Sequence, residues 1–170
     1  MPDSGALSAP TIFEVQVAAN SNDAEERGSG TSSDLELVLD RELQTMGIRF
    51  NGVAVPRRAH ISSAHIQFKA DETHSEPTTL QIQGQDVSSA LTFINAKNNI
   101  TDRNLTDAFV DWDPPAWVNK GDSGPAQQTP DITAVIQEIV SRGDWSEGNS
   151  LVMIITSELP SDQSPRDTIS

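Results

Sequence analysis

Three tryptophans and a set of acidic clusters are the residues in this sequence best equipped for chemistry. Trp112 and Trp117 bracket Asp-Pro-Pro-Ala, and Trp145 follows an apolar helical stripe. An indole held flat on a loop stacks against the C–H face of a sugar ring as it would against any apolar surface. The neighbouring prolines would stiffen such a platform and lower the ordering cost of binding. The competing reading is that these residues cap the ends of an apolar core, Trp112 at the end of a strand and Trp145 at the end of a helix. Asp23, Glu25 and Glu26 form the first acidic cluster. Asp71, Glu72 and Glu76 form a second, and Asp107, Asp111 and Asp113 a third. Calcium is held by several carboxylate and carbonyl oxygens drawn from loops. The segment Asn20-Ser-Asn22-Asp23-Ala-Glu25 is therefore the candidate for a structural Ca2+, against the simpler reading of a solvated acidic surface.

Other chemistries find less footing. A pair of carboxylates could hydrolyse a glycoside, but no spacing sets two of them across a cleft. His60, His65 and His74 are too scattered for a metal motif, and on a regular strand His60 and His65 would point to opposite faces. The sequence has no cysteine, which removes disulfides, zinc–thiolate sites and thiol nucleophiles together. There is no G-x-S-x-G elbow, and Gly28-Ser-Gly30 does not open a helix as a phosphate loop would. Asn99-Ile-Thr101 and Asn104-Leu-Thr106 match the glycosylation acceptor pattern, which matters only in a eukaryotic secretory route. A non-enzymatic protein is the expectation.

The elements that must position these residues follow from patterning. At 170 residues the chain suits one domain with a real core. Aromatics are 5% and Tyr is absent, so that core must rest on Val, Ile, Leu and Ala. Apolar alternation predicts strands at Ile12–Ala19, Asp34–Asp40, Gln44–Phe50, 61–70, Thr78–Gly84 and Ala108–Trp112. Ser150–Thr156 is a near-continuous apolar run, read as a strand buried on both faces. Asn20–Ser33 reads as loop, and Gln85–Asp107 as irregular chain anchored by Ala90, Leu91 and Phe93. In 131–142, Ile132, Val135, Ile136, Ile139 and Val140 form one helical stripe, with Thr129 as N-cap and Pro130 at the first helical position. No alternating βα units occur, so the expected fold is mainly β: an antiparallel β-sandwich of jelly-roll type carrying one amphipathic helix. Met1–Thr11 reads as a disordered start, 12–156 as the module, and 157–170 as a disordered polar tail.

Lys and Arg number 11 against 25 Asp and Glu, a formal charge of -14. Such a balance repels phosphate backbones and anionic membranes, leaving Arg57-Arg58 as a local patch that could make an anion contact. No apolar run reaches membrane-spanning length. Met1–Pro10 lacks the basic and apolar regions of a signal peptide, so a module cut from a longer secreted protein and a cytosolic protein with a loose start both fit.

The ordered set SSDLEL, QTMGIRFNGVAVPRRAHISSAHIQF, TTLQIQG, VDWDPPAW, TPDITAVIQEIVSRGDW and EGNSLVMIIT resembles the DNRLRE-type jelly-roll modules of large secreted bacterial proteins. The resemblance rests on Arg49-Phe50, the Val55-Pro56 turn, Ile61–Phe68, Trp112–Pro115, Asp131–Val140 and Asn149–Ile155, and it covers about residues 12–156. It implies a non-catalytic module that binds extracellular polysaccharide, joined to other domains of a secreted or cell-surface protein. The alternative is a structural or adhesive spacer with no ligand of its own. Arg57-Arg58 and His60 depart from the small Gly or Lys usual after that proline. The closing hydrophobic strand of the family also has no counterpart after Thr156.

Overall fold

The computed structural model describes residues 9–17, 19–27, 30–32, 44–75 and 77–157. Among these residues there are six strands, β1 (Asp23–Arg27), β2 (Gly30–Ser32), β3 (Gln44–Phe50), β4 (Leu80–Gln85), β5 (Leu105–Trp112) and β6 (Leu151–Ser157), and one α-helix, α1 (Thr133–Val140). They form one antiparallel sheet in the order β2-β1-β3-β6-β4-β5. The fold is mainly β and antiparallel with one helix, as the patterning requires. The second sheet that a sandwich needs is not found among the described residues. The helix and long extended segments take its place.

β6 holds the centre because its residues are apolar on both faces, so they must be covered on both. Met46, Ile48, Leu80, Ile82, Leu151, Met153 and Ile155 point to one face. There they meet Ile132, Val135, Ile139 and Val140 of the helical stripe, with Val53, Val55, Ile66 and Trp145 around them. α1 can lie close to β4 because Gly84 faces it: a Cβ there would stand 2.6 Å from Ile139 Cδ1 and 3.0 Å from Val135 Cγ1. The other face carries Ala24, Val152 and Ile154, covered by Ala90, Phe93 and Ile100 from the chain between β4 and β5.

That cover is the irregular 85–107 stretch of the sequence reading. Ala90 and Phe93 anchor it as expected, whereas Leu91 stands 78% exposed. Arg103 organises it. Its guanidinium lies 4.5 Å from the centre of the Phe93 ring and donates to Gln85 Oε1 and to the carbonyls of Leu91 and Thr92.

Several expected elements differ. Asp23–Arg27 lies in a stretch read as loop and is a strand, paired on both sides. Residues 11–17 form no strand: Val15 and Val17 rest on the core, while Ile12 and Phe13 are exposed. The 61–70 segment is extended but makes only one β-bridge, Gln67 with Gln128. Its amides turn to loop carbonyls and side chains, Ile66 N–H to Thr129 Oγ1 and Phe68 N–H to Gln127 O. The helix starts at Thr133, three residues past Pro130, with Ile132 and not Thr129 at the N-cap position; the Thr129 hydroxyl accepts the Ile66 amide, and Asp131 accepts the Thr133 amide at 2.9 Å. The expected strand Asp34–Asp40, the first eight residues of the expected loose start and all but the first residue of the expected tail lie outside the described residues.

Candidate functional site

All three tryptophans are built into the body. Trp112, at the end of β5, is 4% exposed and stacks on Phe68 with ring centres 5.7 Å apart. Trp145 is 1% exposed and donates its indole N–H to Val55 O at 2.9 Å. These two have no open indole face to offer a sugar. Trp117 is half-buried, tilted against Phe68, with its N–H donated to Ala126 O at 3.0 Å. Its backbone bridges His74, with each amide donating to the other's carbonyl. Trp112 and Trp117 thus share one aromatic neighbour, and Trp145 sits apart beside Val55. The three form no common platform.

The acidic cluster is dispersed by strand geometry. Successive residues of β1 point to opposite faces, so Asp23 and Glu25, paired with Ile48 and Met46, are on one side and Glu26 on the other. Glu26 is 3% exposed and committed: it accepts the amides of Ile100 (2.8 Å) and Thr101 (3.1 Å) and the Thr101 hydroxyl (3.0 Å). Asp23, Glu25 and Glu26 therefore do not form one ligand set for calcium. Among the described residues no group of three or more His, Cys, Asp and Glu is disposed to hold a metal ion. Asp111 accepts from Gln81 Nε2, and Asp71 pairs with Lys120, both at the surface.

An open concavity lies elsewhere, between residues 58–61 and the first turns of α1. It is a groove of ≈ 680 Å³ lined by Arg58, Ala59, His60, Ile61, Ala134 and Gln137 among others. Its walls are fixed by local chemistry. Gln137 reaches across from the helix, donating to Ala59 O (3.0 Å) and accepting the Ile61 amide (2.9 Å). Arg58 N–H donates to Val140 O at 2.9 Å, and Arg57 donates to Gly143 O at 2.7 Å. Asp131, at one end, is held below the usual aspartate range, first by the Thr133 hydroxyl and then by the Thr133 amide. Its carboxylate is spent on the helix start.

In the sequence, Arg57-Arg58 stands out here only as a local basic patch in an acidic chain. Nothing in the sequence showed that Gln137 would fasten that loop to the helix, a contact spanning 78 positions. Glu138 went unread for the same reason. Its two carboxylate oxygens accept the amides of Asp107 (2.9 Å) and Ala108 (2.8 Å), where β5 bulges against β4. Family models, curated proteins and solved structures were each compared with the chain, and none of them matches it.

Proposed function

We propose that this chain is a non-catalytic structural and adhesive module of a secreted or cell-surface protein. The observation that carries the reading is the use of its aromatic residues. Trp112 and Trp145 fill the interior, and all three tryptophans make contacts or hydrogen bonds that hold segments of the body together. Glu26, Glu138 and Asp131 each satisfy backbone amides, and they lie in three separate places in the fold. A buried indole emits at short wavelength and is shielded from quenchers. The reading therefore expects largely quencher-resistant fluorescence, unchanged by polysaccharides.

One observation favours polysaccharide recognition as a second reading. Trp117 is only partly covered, and its neighbour Val118 is 68% exposed. A glycan array run on wild type and Trp117→Ala, with and without chelator, separates the two. Glycan retention that disappears in Trp117→Ala would replace the structural reading with the polysaccharide one. Retention that chelation abolishes would restore the calcium proposal.

A further inference from the structure

The turn that leaves β3 holds two residues that the core does not use. Phe50 ends β3 paired with Leu151. Val53 is pinned again, donating its amide to Asn149 O at 2.9 Å and accepting from Gly148 N–H at 2.8 Å. Asn51 and Gly52 therefore stand between two fixed points, both opposite Ser150, an arrangement of two residues against one as in a β-bulge. Both are exposed. Gly52 has φ 62, its amide donates to no described residue, and a Cβ there would meet nothing within 4 Å. Of the asparagines in the sequence, only Asn51 precedes a glycine.

The Asn51 side chain is held. Its Oδ1 accepts the Ser150 hydroxyl at 3.1 Å, and Ser150 Oγ accepts from Arg49 Nη2 at 3.1 Å. The guanidinium is anchored in turn, donating to Ala90 O at 2.8 Å and to Asn22 Oδ1 at 3.0 Å. A chain of hydrogen bonds that begins on a cation thus ends on the carbonyl oxygen of the Asn51 amide and polarises it. Donors fixed in advance on a carbonyl oxygen stabilise the negative charge that develops there under attack. The neighbouring Gly52 nitrogen, without a hydrogen-bond partner and without a side chain beside it, is the nucleophile that the chain itself brings close.

We propose that Asn51-Gly52 is a self-modification site, at which the folded chain deamidates without an enzyme and the Arg49–Ser150 pair promotes the step. The Gly52 nitrogen gives up its proton and bonds to Asn51 Cγ, and the charge that forms on Oδ1 is met by the Ser150 hydroxyl. The Cγ–Nδ2 bond then breaks, and the nitrogen leaves as ammonia with that proton. Water opens the resulting succinimide ring at either carbonyl, giving aspartate or isoaspartate at position 51. Either product places a carboxylate beside Ser150 and Arg49. Isoaspartate also lengthens the backbone between Phe50 and Val53 by one carbon, which strains the two pinned ends of the turn. The fraction converted records how long the module has been folded. The inference goes beyond the structural reading and does not depend on it.

The test is ageing of the full chain at neutral pH, folded in buffer and unfolded in guanidinium chloride, with peptide mapping by mass spectrometry of every asparagine. Asn51 is expected to convert first in the folded chain, to a mixture of aspartate and isoaspartate. Its folded rate should exceed its unfolded rate by about tenfold, less than a donor gives in a water-excluded site because this turn is open. Ser150→Ala should remove that acceleration and leave the unfolded rate unchanged, a split that loss of a purely structural hydroxyl would not produce. A folded wild-type rate equal to or below the unfolded rate overturns the proposal, and this comparison decides alone if Ser150→Ala does not fold. An unchanged folded rate in a cooperatively melting Ser150→Ala also overturns it. So does aspartate without isoaspartate, since opening of the ring yields both.

Discussion

The Phe93 ring lies directly on Gly47. A Cβ at position 47 would stand 2.5 Å from Phe93 Cζ, closer than real Cβ contacts come. Gly47 is in β3, opposite Ile154 of the central strand, so this contact presses the 85–107 cover onto the middle of the sheet. Gly47→Ala is expected to lift Phe93 and destabilise the fold by about 1–3 kcal/mol, as overpacking does. Urea denaturation measures the loss. A wild-type midpoint in Gly47→Ala would mean that the cover adjusts freely.

Glu26 ties the same cover to β1. Replacing it with Ala removes the acceptor for two amides and a hydroxyl in a buried place. A loss of about 2–4 kcal/mol is expected from donors left without partners. Hydrogen exchange is the sharper readout: the Ile100 and Thr101 amides should exchange faster in Glu26→Ala, with the Phe68 amide unaffected.

On the opposite face, Trp145 joins the chain after α1 to the Val55 carbonyl. Trp145→Phe keeps most of the apolar volume and loses the hydrogen bond. The expected cost is about 1–3 kcal/mol, because Val55 O is left without that donor. Trp145→Ala adds a cavity and should cost about 3–5 kcal/mol. Equal midpoints for the two variants would show that the indole volume is not the dominant contribution.

Asp131 gives the fold a dependence on acid. Its carboxyl is depressed by the Thr133 hydroxyl and amide, so the folded state binds that proton less readily than the unfolded chain does. The stabilisation is present above the ordinary aspartate range, about pH 4, and is lost as pH falls through the lower folded value. Asp131→Asn should therefore flatten the decline in melting temperature below about pH 4. Identical acid limbs in wild type and variant would rule out this contribution.

The strands that were legible in the sequence are those whose burial follows their own alternation. Met46, Ile48 and Phe50 in β3 and the continuous run of β6 fall where the pattern puts them, and so does the Val135-Ile139-Val140 stripe. The acidic run of β1 was illegible because its burial is decided elsewhere. Glu26 is tolerated inside only through donors at Ile100 and Thr101, more than seventy residues away. Ile61–Phe68 alternates like a strand and is extended, but its neighbour across the gap supplies side-chain acceptors such as Thr129 Oγ1 in place of a regular ladder. The tryptophans could not be sorted from sequence either. Core packing and sugar stacking ask for the same ring, and only Phe68 and Val55 O in space tell which one Trp112 and Trp145 serve.

The position of β6 in the sheet has a consequence for synthesis. β6 is the last strand along the described chain, yet it lies between β3 and β4. Until Ser157 has emerged from the ribosome, β3 and β4 each present an unpaired strand edge, and only the 85–107 cover can hold β1–β3 to the β4–β5 hairpin. Every strand pairing that unites them in one sheet waits on a segment made roughly a hundred residues after β3, a topology of high contact order that folds slowly. Arrest of translation between Trp112 and Leu151 would therefore leave two sticky half-sheets, the state in which such a chain depends most on chaperones.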